Sequence, residues 1–215
     1  MGYTDTRYLN FIKGKRVIFV GPSPCIMGES KGTFIDSFDI VIRTNGSFPV
    51  DKDNVIDYGE RCDSLYVNCL FARVTNLPID MYKSKGLKFL NLKQDTKKLA
   101  TRYRPQYIMI RDLYQVWNAS KREIGANPLM GSYIVWEILQ HQPKSLYLTG
   151  MDCYANPDIN SHYIDNYLPE TCNVESLNDT RVKFHSQETQ NEFIRNKVKK
   201  KLVDCDDHVR KSLGI

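Results

Sequence analysis

The residues best suited to bind a phosphate lie in one stretch, Val17–Asn45. An apolar run leads into the small-residue turn Gly21-Pro22-Ser23-Pro24, and a second apolar run, Ile40–Ile42, leads to Asn45. A strand that ends in such a turn brings backbone N–H groups up to a phosphate or nucleotide in α/β proteins. The dinucleotide pattern Gly-x-Gly-x-x-Gly is absent, because prolines follow Gly21 and proline donates no N–H. The stretch therefore predicts a phosphate or nucleotide site and disfavours an ordinary NAD site.

The same stretch resembles the long sialylmotif of the sialyltransferases, glycosyltransferase family 29. That motif has a glycine turn and a short loop, followed by G-x-x-I-D-x-x-D-x-V-x-R-x-N. The chain matches it with Gly21, Gly28, Gly32, Ile35, Asp36, Ser37, Phe38, Asp39, Val41, Arg43 and Asn45. The resemblance implies that Ser23 and Asn45 contact a CMP-sugar donor, whereas Asp36, Asp39 and Arg43 fix the loop.

A second segment, Pro128-Leu129-Met130-Gly131-Ser132, resembles the short sialylmotif, in which a turn before a helix holds the nucleotide. Glycine permits close approach of the backbone to a ligand, and a helix N-terminus favours an anion. The family usually has serine or threonine where this chain has Leu129 and Met130, so Ser132 is the hydroxyl that could substitute. The resemblance implies donor contacts by Gly131, Ser132 and Gly150. A helix N-cap without a ligand is the alternative.

Two histidines match the family's remaining motifs. His162-Tyr163-Ile164-Asp165 resembles H-Y-x-D/E, which implies that His162 stabilises charge on the departing nucleotide and that Tyr163 belongs to the donor site. His185 resembles the histidine of His-x4-Glu, the general base that takes the proton of the acceptor hydroxyl. The fifth residue after His185 is Gln190, so the motif's glutamate is missing; Glu188 is an open candidate for a supporting carboxylate.

Two asparagines complete the predicted donor side. Asn45 follows the second predicted strand, at the edge where α/β sheets bind ligands. Asn68 comes after Gly59-Glu60-Arg61-Cys62, which resembles the family's G-x-R/K-T segment leading to a polar residue near the donor phosphate. His141 and His208 match no motif, and we expect both at the surface.

Alternation of short β-branched runs with helical segments predicts an α/β fold: a single Rossmann-like, mostly parallel sheet flanked by helices. The resemblance implies the A-type glycosyltransferase variant of that fold. With 215 residues, 41% of them hydrophobic, the chain suits one catalytic domain over residues 1–215. Predicted strands cover 16–20, 39–43, 62–68, 87–92, 107–110 and 145–148; predicted helices include 5–14, 131–140 and one C-terminal helix in 186–213. The segments 70–85 and 154–184 are candidate acceptor loops.

Composition and spacing narrow the functional classes. The net charge of +5 is mild, and Lys and Arg form no long stripe with aromatics, which disfavours nucleic acid as a partner. No apolar run approaches the roughly 20 residues of a transmembrane helix, and residues 1–16 lack the apolar region of a signal peptide. The six cysteines form no C-x-x-C pair and do not match the disulfide of the family's animal members. We therefore expect reduced thiols and a cytoplasmic location.

The sequence predicts neither a metal nor a cofactor. No His, Asp or Glu residues have metal-ligand spacing and no D-x-D motif is present. The resemblance implies a metal-independent, inverting transfer of sialic acid, or a similar acid sugar, from its CMP conjugate to a glycan hydroxyl. A CMP-Kdo transferase of the same fold and an inactive nucleotide-binding or glycan-binding module remain as alternatives. The missing glycine signature disfavours an unrelated methyltransferase or oxidoreductase. Acceptor, linkage and oligomeric state stay open.

Overall fold

One parallel sheet organises the molecule. The computed structural model describes residues 5–68, 77–92, 109–153 and 185–215. Within them seven strands lie in the order β5-β4-β3-β2-β1-β6-β7, and every neighbouring pair is parallel. The strands are β1 Arg16–Val20, β2 Ile40–Thr44, β3 Ser64–Val67, β4 Phe89–Leu92, β5 Met109–Asp112, β6 Ser145–Thr149 and β7 Asp204–Cys205. The predicted α/β class with a Rossmann-like parallel sheet is confirmed.

Helices connect the strands, as parallel pairing requires. They are α1 Thr6–Ile12, α2 Gly32–Asp36, α3 Val55–Tyr58, α4 Ile79–Ser84, α5 Tyr114–Ile124, α6 Met130–Gln140, α7 Gln187–Lys199 and α8 Asp207–Leu213. None of these helices is long and apolar enough to cross a membrane. The predicted leading helix and the helix at 131–140 are confirmed as α1 and α6.

The single C-terminal helix predicted over 186–213 is wrong. The chain leaves α7 through Lys201, whose positive φ of 56° ends the helix. It then pairs β7 with β6, and the Asp206 carboxylate caps α8 by accepting a hydrogen bond from the Val209 N–H at 2.9 Å. Leu202, which lies between α7 and β7, is 51% exposed. Pairing with a sheet edge therefore overrides local helical periodicity here.

Both faces of the sheet are covered, so its central strands are buried on each side. Successive strand residues point to opposite faces: Val17 and Phe19 join one core cluster with helices α1 and α6, whereas Ile18 and Val20 join another. A third cluster lies around β3, β4 and α4. Strands β1 and β2 therefore contain runs of apolar residues, which is why they could be predicted from the sequence.

A buried ion pair ties α6 to the sheet. Arg111 of β5 donates from Nη2 to the Glu137 carboxylate of α6 at 2.5 Å, and the two side chains are 4% and 0% exposed. The other Glu137 oxygen accepts from the Tyr66 hydroxyl at 2.8 Å, and Arg111 Nη1 donates to Asn91 at 2.7 Å. The Tyr8 ring packs 3.7 Å from the guanidinium carbon. The sequence alone does not reveal this network, because its members are far apart in the chain.

The expected surface position of His141 is wrong as well. His141 is 3% exposed, and its Nδ1 atom lies 2.7 Å from the backbone carbonyl of Glu137. Its ring packs edge-on against Tyr8, with ring centroids 5.1 Å apart. Burial lowers the pKa of His141, because desolvation disfavours the charged imidazole. The residue therefore belongs to the packing between α1 and α6.

Replacing Glu137 with glutamine tests the buried pair. Glu137→Gln keeps side-chain volume and removes the buried counterion of Arg111, whose other carboxylate partner, Asp5, is partly exposed and lies 3.6 Å from Nε. We expect the free energy of unfolding to fall by about 3–5 kcal/mol in urea denaturation. Glu188→Gln is the matched control: Glu188 pairs with Arg195 at 3.3 Å but is 75% exposed, so the same change should cost less than about 1 kcal/mol. Equal costs for the two variants would contradict a structural role for the buried pair.

Candidate functional site

The sheet has one point at which its strand order reverses. The chain proceeds outward from β1 through β2, β3, β4 and β5, and then β6 returns to the other side of β1. Open α/β sheets bind ligands outside the carboxyl ends of the strands at such a switch point. Gly21 follows β1 there and Gly150 follows β6. The turn of the first sialylmotif-like segment and Gly150, which the resemblance links to the second, therefore meet at this crevice.

The backbones of Gly21 and Gly150 touch at the switch point. The Gly21 N–H donates to the Thr149 carbonyl at 2.9 Å, and the Ser23 N–H donates to the Gly150 carbonyl at 2.9 Å. Gly150 has a φ of +63°, and a Cβ atom placed on it would stand 2.7 Å from the Gly21 oxygen. A residue with a side chain would push the two strands' ends apart. These two glycines therefore allow the backbones at the ends of β1 and β6 to lie in contact.

Ser23 shapes the turn that follows β1. Its side chain is buried, and its hydroxyl accepts from the Cys25 N–H at 3.4 Å, which starts the short 3₁₀ turn Pro24–Ile26. Its carbonyl accepts a hydrogen bond from the Tyr58 hydroxyl at 2.8 Å. The predicted donor contact of Ser23 remains a prediction, and the structure fixes where its hydroxyl lies.

The structure brings the two predicted asparagines together. Asn45, at φ +50°, donates its N–H to the Tyr66 carbonyl at 2.7 Å, and its side-chain oxygen accepts from the Asn68 N–H at 2.9 Å. Asparagine tolerates this left-handed conformation better than most residues. Asn45 and Asn68 thus link the carboxyl ends of β2 and β3, beside the crevice.

The loop residues expected to be structural do fix the loop. Asp36 accepts from the Glu60 N–H at 3.0 Å and from the Arg61 N–H at 3.1 Å. Arg43 is fully buried and donates to the Tyr58 and Arg61 carbonyls, at 2.5 and 2.8 Å. These contacts tie α2, β2 and the segment before β3 into one unit behind Asn45.

Helix α6 begins at the second sialylmotif-like segment. Gly131 lies in its first turn, where an added Cβ would come 3.1 Å from the Met151 side chain. Ser132 is 2% exposed, and its hydroxyl lies 3.1 Å from the Leu129 carbonyl and in hydrogen-bond contact with Gln190 Oε1. The Ser132 hydroxyl therefore bonds within the protein, and a contact with the nucleotide stays a prediction.

His185 lies beside this turn, just before α7. Its Nδ1 atom is 2.8 Å from the Asn127 carbonyl oxygen. Because a carbonyl oxygen only accepts hydrogen bonds, Nδ1 carries the proton, and in the neutral ring Nε2 is the basic nitrogen. An imidazole oriented in this way can act as a general base through Nε2.

The motif position five residues after His185 is also close by. Gln190 is 2% exposed and bonds to the backbone of both His185 and Asn127, at 2.6 and 2.7 Å. Glu188, the open candidate for a supporting carboxylate, instead pairs with Arg195 on the exposed side of α7. The sequence shows only that position 190 lacks the motif's glutamate. The contacts of Gln190 with His185 and Asn127 involve backbone atoms, which leave no signal in the side-chain pattern.

Two predicted site residues, His162 and Tyr163, lie outside the described residues, and their roles stay predictions. Among the described residues no group of three His, Cys, Asp or Glu side chains is arranged to hold a metal ion. The four described cysteines are free thiols. Burial raises the pKa of Cys25 to about 11 and that of Cys153 to about 12. These thiols are therefore protonated at neutral pH and poor nucleophiles.

Solved structures with a similar fold are known. A mammalian sialyltransferase in complex with Gal-beta-1-3GalNAc-ortho-nitrophenol superposes with a TM-score of 0.60 at 15% identity, over 92% of this chain and 71% of the other. A second mammalian sialyltransferase structure gives a TM-score of 0.58 at 16% identity, over 90% and 69%. No family model and no curated protein matches the sequence. The chain shares the sialyltransferase fold, as the motif resemblance implied.

Gly150→Ala tests the close approach at the switch point. The substitution combines strain at positive φ with a clash against the Gly21 carbonyl. Gly14→Ala is the control, because Gly14 has a similar φ of +70° but no described atom within 4 Å of an added Cβ. We expect Gly150→Ala to lower the free energy of unfolding by about 1–3 kcal/mol more than the control does, measured by urea denaturation. Equal losses would show that the two backbones do not need to touch.

Proposed function

We propose that this chain is a metal-independent, inverting glycosyltransferase that moves a sialic acid, or a similar acid sugar, from its CMP conjugate to a glycan hydroxyl. The shared fold supports a glycosyltransferase. The observation that carries the proposal further is the position of His185, whose Nδ1–H bonds to Asn127 beside the first turn of α6. The motif resemblance assigns the base and the donor to these two segments.

His185 would act as the general base. Its Nε2 atom takes the proton of the acceptor hydroxyl while that oxygen forms a bond to the anomeric carbon of the donor sugar. The bond between the anomeric carbon and the phosphate oxygen breaks on the opposite face, and its electron pair leaves with CMP. One displacement of this kind inverts the configuration. Such a base contributes typically about 10²–10⁴-fold to the rate.

The donor would lie across the carboxyl ends of β1, β2 and β6. The turn around Ser23, the pair Asn45 and Asn68, and the helix start at Gly131 surround that edge. A helix N-terminus favours the negative charge that develops on the departing phosphate. We assign His162 and Tyr163 to the same phosphate on the motif resemblance alone. Because CMP is itself a good leaving group, no divalent ion is required in this mechanism.

Two alternatives are retained because this chain departs from the family at specific positions. Leu129 and Met130 replace the usual hydroxyl residues of the short motif, which favours a different acid sugar, as in a CMP-Kdo transferase of the same fold. Gln190 replaces the last motif's glutamate, which favours a binding module that has lost catalysis.

Release of CMP distinguishes these functions. CMP-sialic acid and CMP-Kdo are each incubated with the protein, with and without galactose-terminated glycans. The panel includes Galβ1-3GalNAc, because one of the similar sialyltransferase structures holds a derivative of it. Acceptor-dependent release from CMP-sialic acid supports the proposal, and release only from CMP-Kdo changes the sugar. Binding of CMP without release from either donor favours the module.

Substitution of His185 tests the base. We expect His185→Ala to lower kcat by about 10²–10⁴-fold, the usual contribution of a general base, and to leave CMP affinity within a factor of about three. His208→Ala is the matched control, since His208 matches no motif and is a partly exposed imidazole that contacts Glu29 at 2.5 Å. Turnover by His185→Ala at the wild-type rate would remove His185 from the mechanism.

Removal of divalent ions tests the metal independence. We expect the steady-state rate of CMP release to be unchanged by excess EDTA, and unchanged again when Mg²⁺ or Mn²⁺ is restored, because no step depends on a Lewis acid. A rate that falls with EDTA and recovers with one of the two ions would contradict this part of the proposal.

A further inference from the structure

The side-chain amide of Gln190 makes four contacts at the candidate site. Its Nε2 atom donates to the Asn127 carbonyl at 2.7 Å and to the His185 carbonyl at 2.6 Å. Its Oε1 atom accepts from the Leu129 N–H at 3.0 Å and contacts the Ser132 hydroxyl. Gln190 therefore joins the base-bearing segment, the turn before α6 and the first turn of α6.

These contacts use the full hydrogen-bonding capacity of an amide. A glutamine side chain has two N–H donors and an oxygen with two lone pairs. The two carbonyls can only accept and the Leu129 N–H can only donate, so the amide has one orientation that fits. The side chain is 2% exposed, so water cannot readily replace a lost partner.

A carboxylate in this position would conflict with the same backbone. Both oxygens of an ionised glutamate accept hydrogen bonds, and one of them would face the carbonyls of Asn127 and His185. Two donations would be lost and negative charge would meet two partial negative charges in a buried site. A glutamate at position 190, the family's residue, would therefore break the hydrogen bonds to the Asn127 and His185 carbonyls instead of strengthening them.

The hydrogen bonds of Gln190 affect which nitrogen of the His185 imidazole carries the proton. The Asn127 carbonyl accepts from both Gln190 Nε2 and His185 Nδ1. By holding that carbonyl and the backbone of His185 at once, Gln190 fixes the distance over which the Nδ1–H bond forms. That bond selects the tautomer in which Nε2 is basic.

We propose that Gln190 is the positioning residue for His185: this chain orients its base with a neutral amide clamp on two backbone carbonyls, in place of a carboxylate. The inference rests on the proposed function for its kinetic consequence. Its structural part, that Gln190 selects the His185 tautomer, depends only on the hydrogen bonds described above. On this interpretation, the glutamine in place of the motif's glutamate does not indicate that catalysis has been lost.

Two variants of Gln190 separate a lost contact from an added charge. Gln190→Met keeps a similar length and removes all four hydrogen bonds, and Gln190→Glu also adds a negative charge. Gln140→Glu is the control, because it makes the same chemical change at an exposed position at the other end of α6. Each protein is assayed for CMP release over a range of pH and of donor concentrations, at saturating acceptor.

We expect both Gln190 variants to lower kcat at least tenfold while KM for the donor changes less than threefold. In Gln190→Glu the acidic limb of the pH–rate profile should also move to higher pH, because the added charge stabilises the imidazolium. Gln140→Glu should match the wild type. Wild-type kcat in Gln190→Glu would overturn the clamp and favour a carboxylate-assisted base. Loss of folded protein with unchanged kcat per folded molecule would reduce Gln190 to a packing residue.

An NMR measurement tests the clamp without any turnover. The chain has four histidines, so ¹⁵N-histidine labelling gives few signals, and His185 is assigned by its absence in His185→Ala. We expect the Nδ1–H tautomer in the wild type and a mixture of both tautomers in Gln190→Met. The Nε2–H tautomer in the wild type, or no change in the variant, would overturn the inference. If no donor is turned over but the tautomer responds as expected, the proposed function fails and the clamp remains.

Discussion

The contact between the ends of β1 and β6 is the constraint on which the rest of the site depends. Two backbone hydrogen bonds of 2.9 Å cross between these ends, and the approach is so close that a Cβ on either glycine would collide with the other's backbone. The switch point of the sheet lies here, so the turn bearing Ser23 and the loop after Gly150 are held in one crevice. Displacing either end would separate the two halves of the proposed donor site.

Helix α6 connects the sheet to the segment that bears His185. Its N-terminal turn bonds to Gln190, and through that amide to the segment bearing His185. Farther along the same helix, Glu137 is anchored by Arg111 and Tyr66 under the sheet. A buried charge pair of this kind adds little net stability but penalises any register in which it is broken. The helix is thus held at both its functional end and its middle.

Much of the scaffold could be predicted from the sequence, because β1, β2 and β6 are short apolar runs bounded by turn residues. Asn45 and Asn68 were both assigned to the donor side, and the structure brings them together because they follow neighbouring parallel strands. The sequence could not reveal contacts made by backbone atoms or by distant polar residues. Gln190 looked like a lost glutamate, His141 looked like a surface residue, and β7 looked like part of a helix. Each was decided by tertiary contacts that local patterns do not encode.

The order of the strands also bears on how the chain acquires its structure. β1 is the first of the described strands to be made, whereas its partner β6 comes after β5. Until β6 is synthesised, one edge of β1 has no strand beside it, and such edges readily pair with other chains. Pairings between distant segments also form slowly. The crevice is therefore assembled late, and a growing chain that stalls before Ser145 carries an unpaired edge on β1 and lacks the β6 side of the crevice.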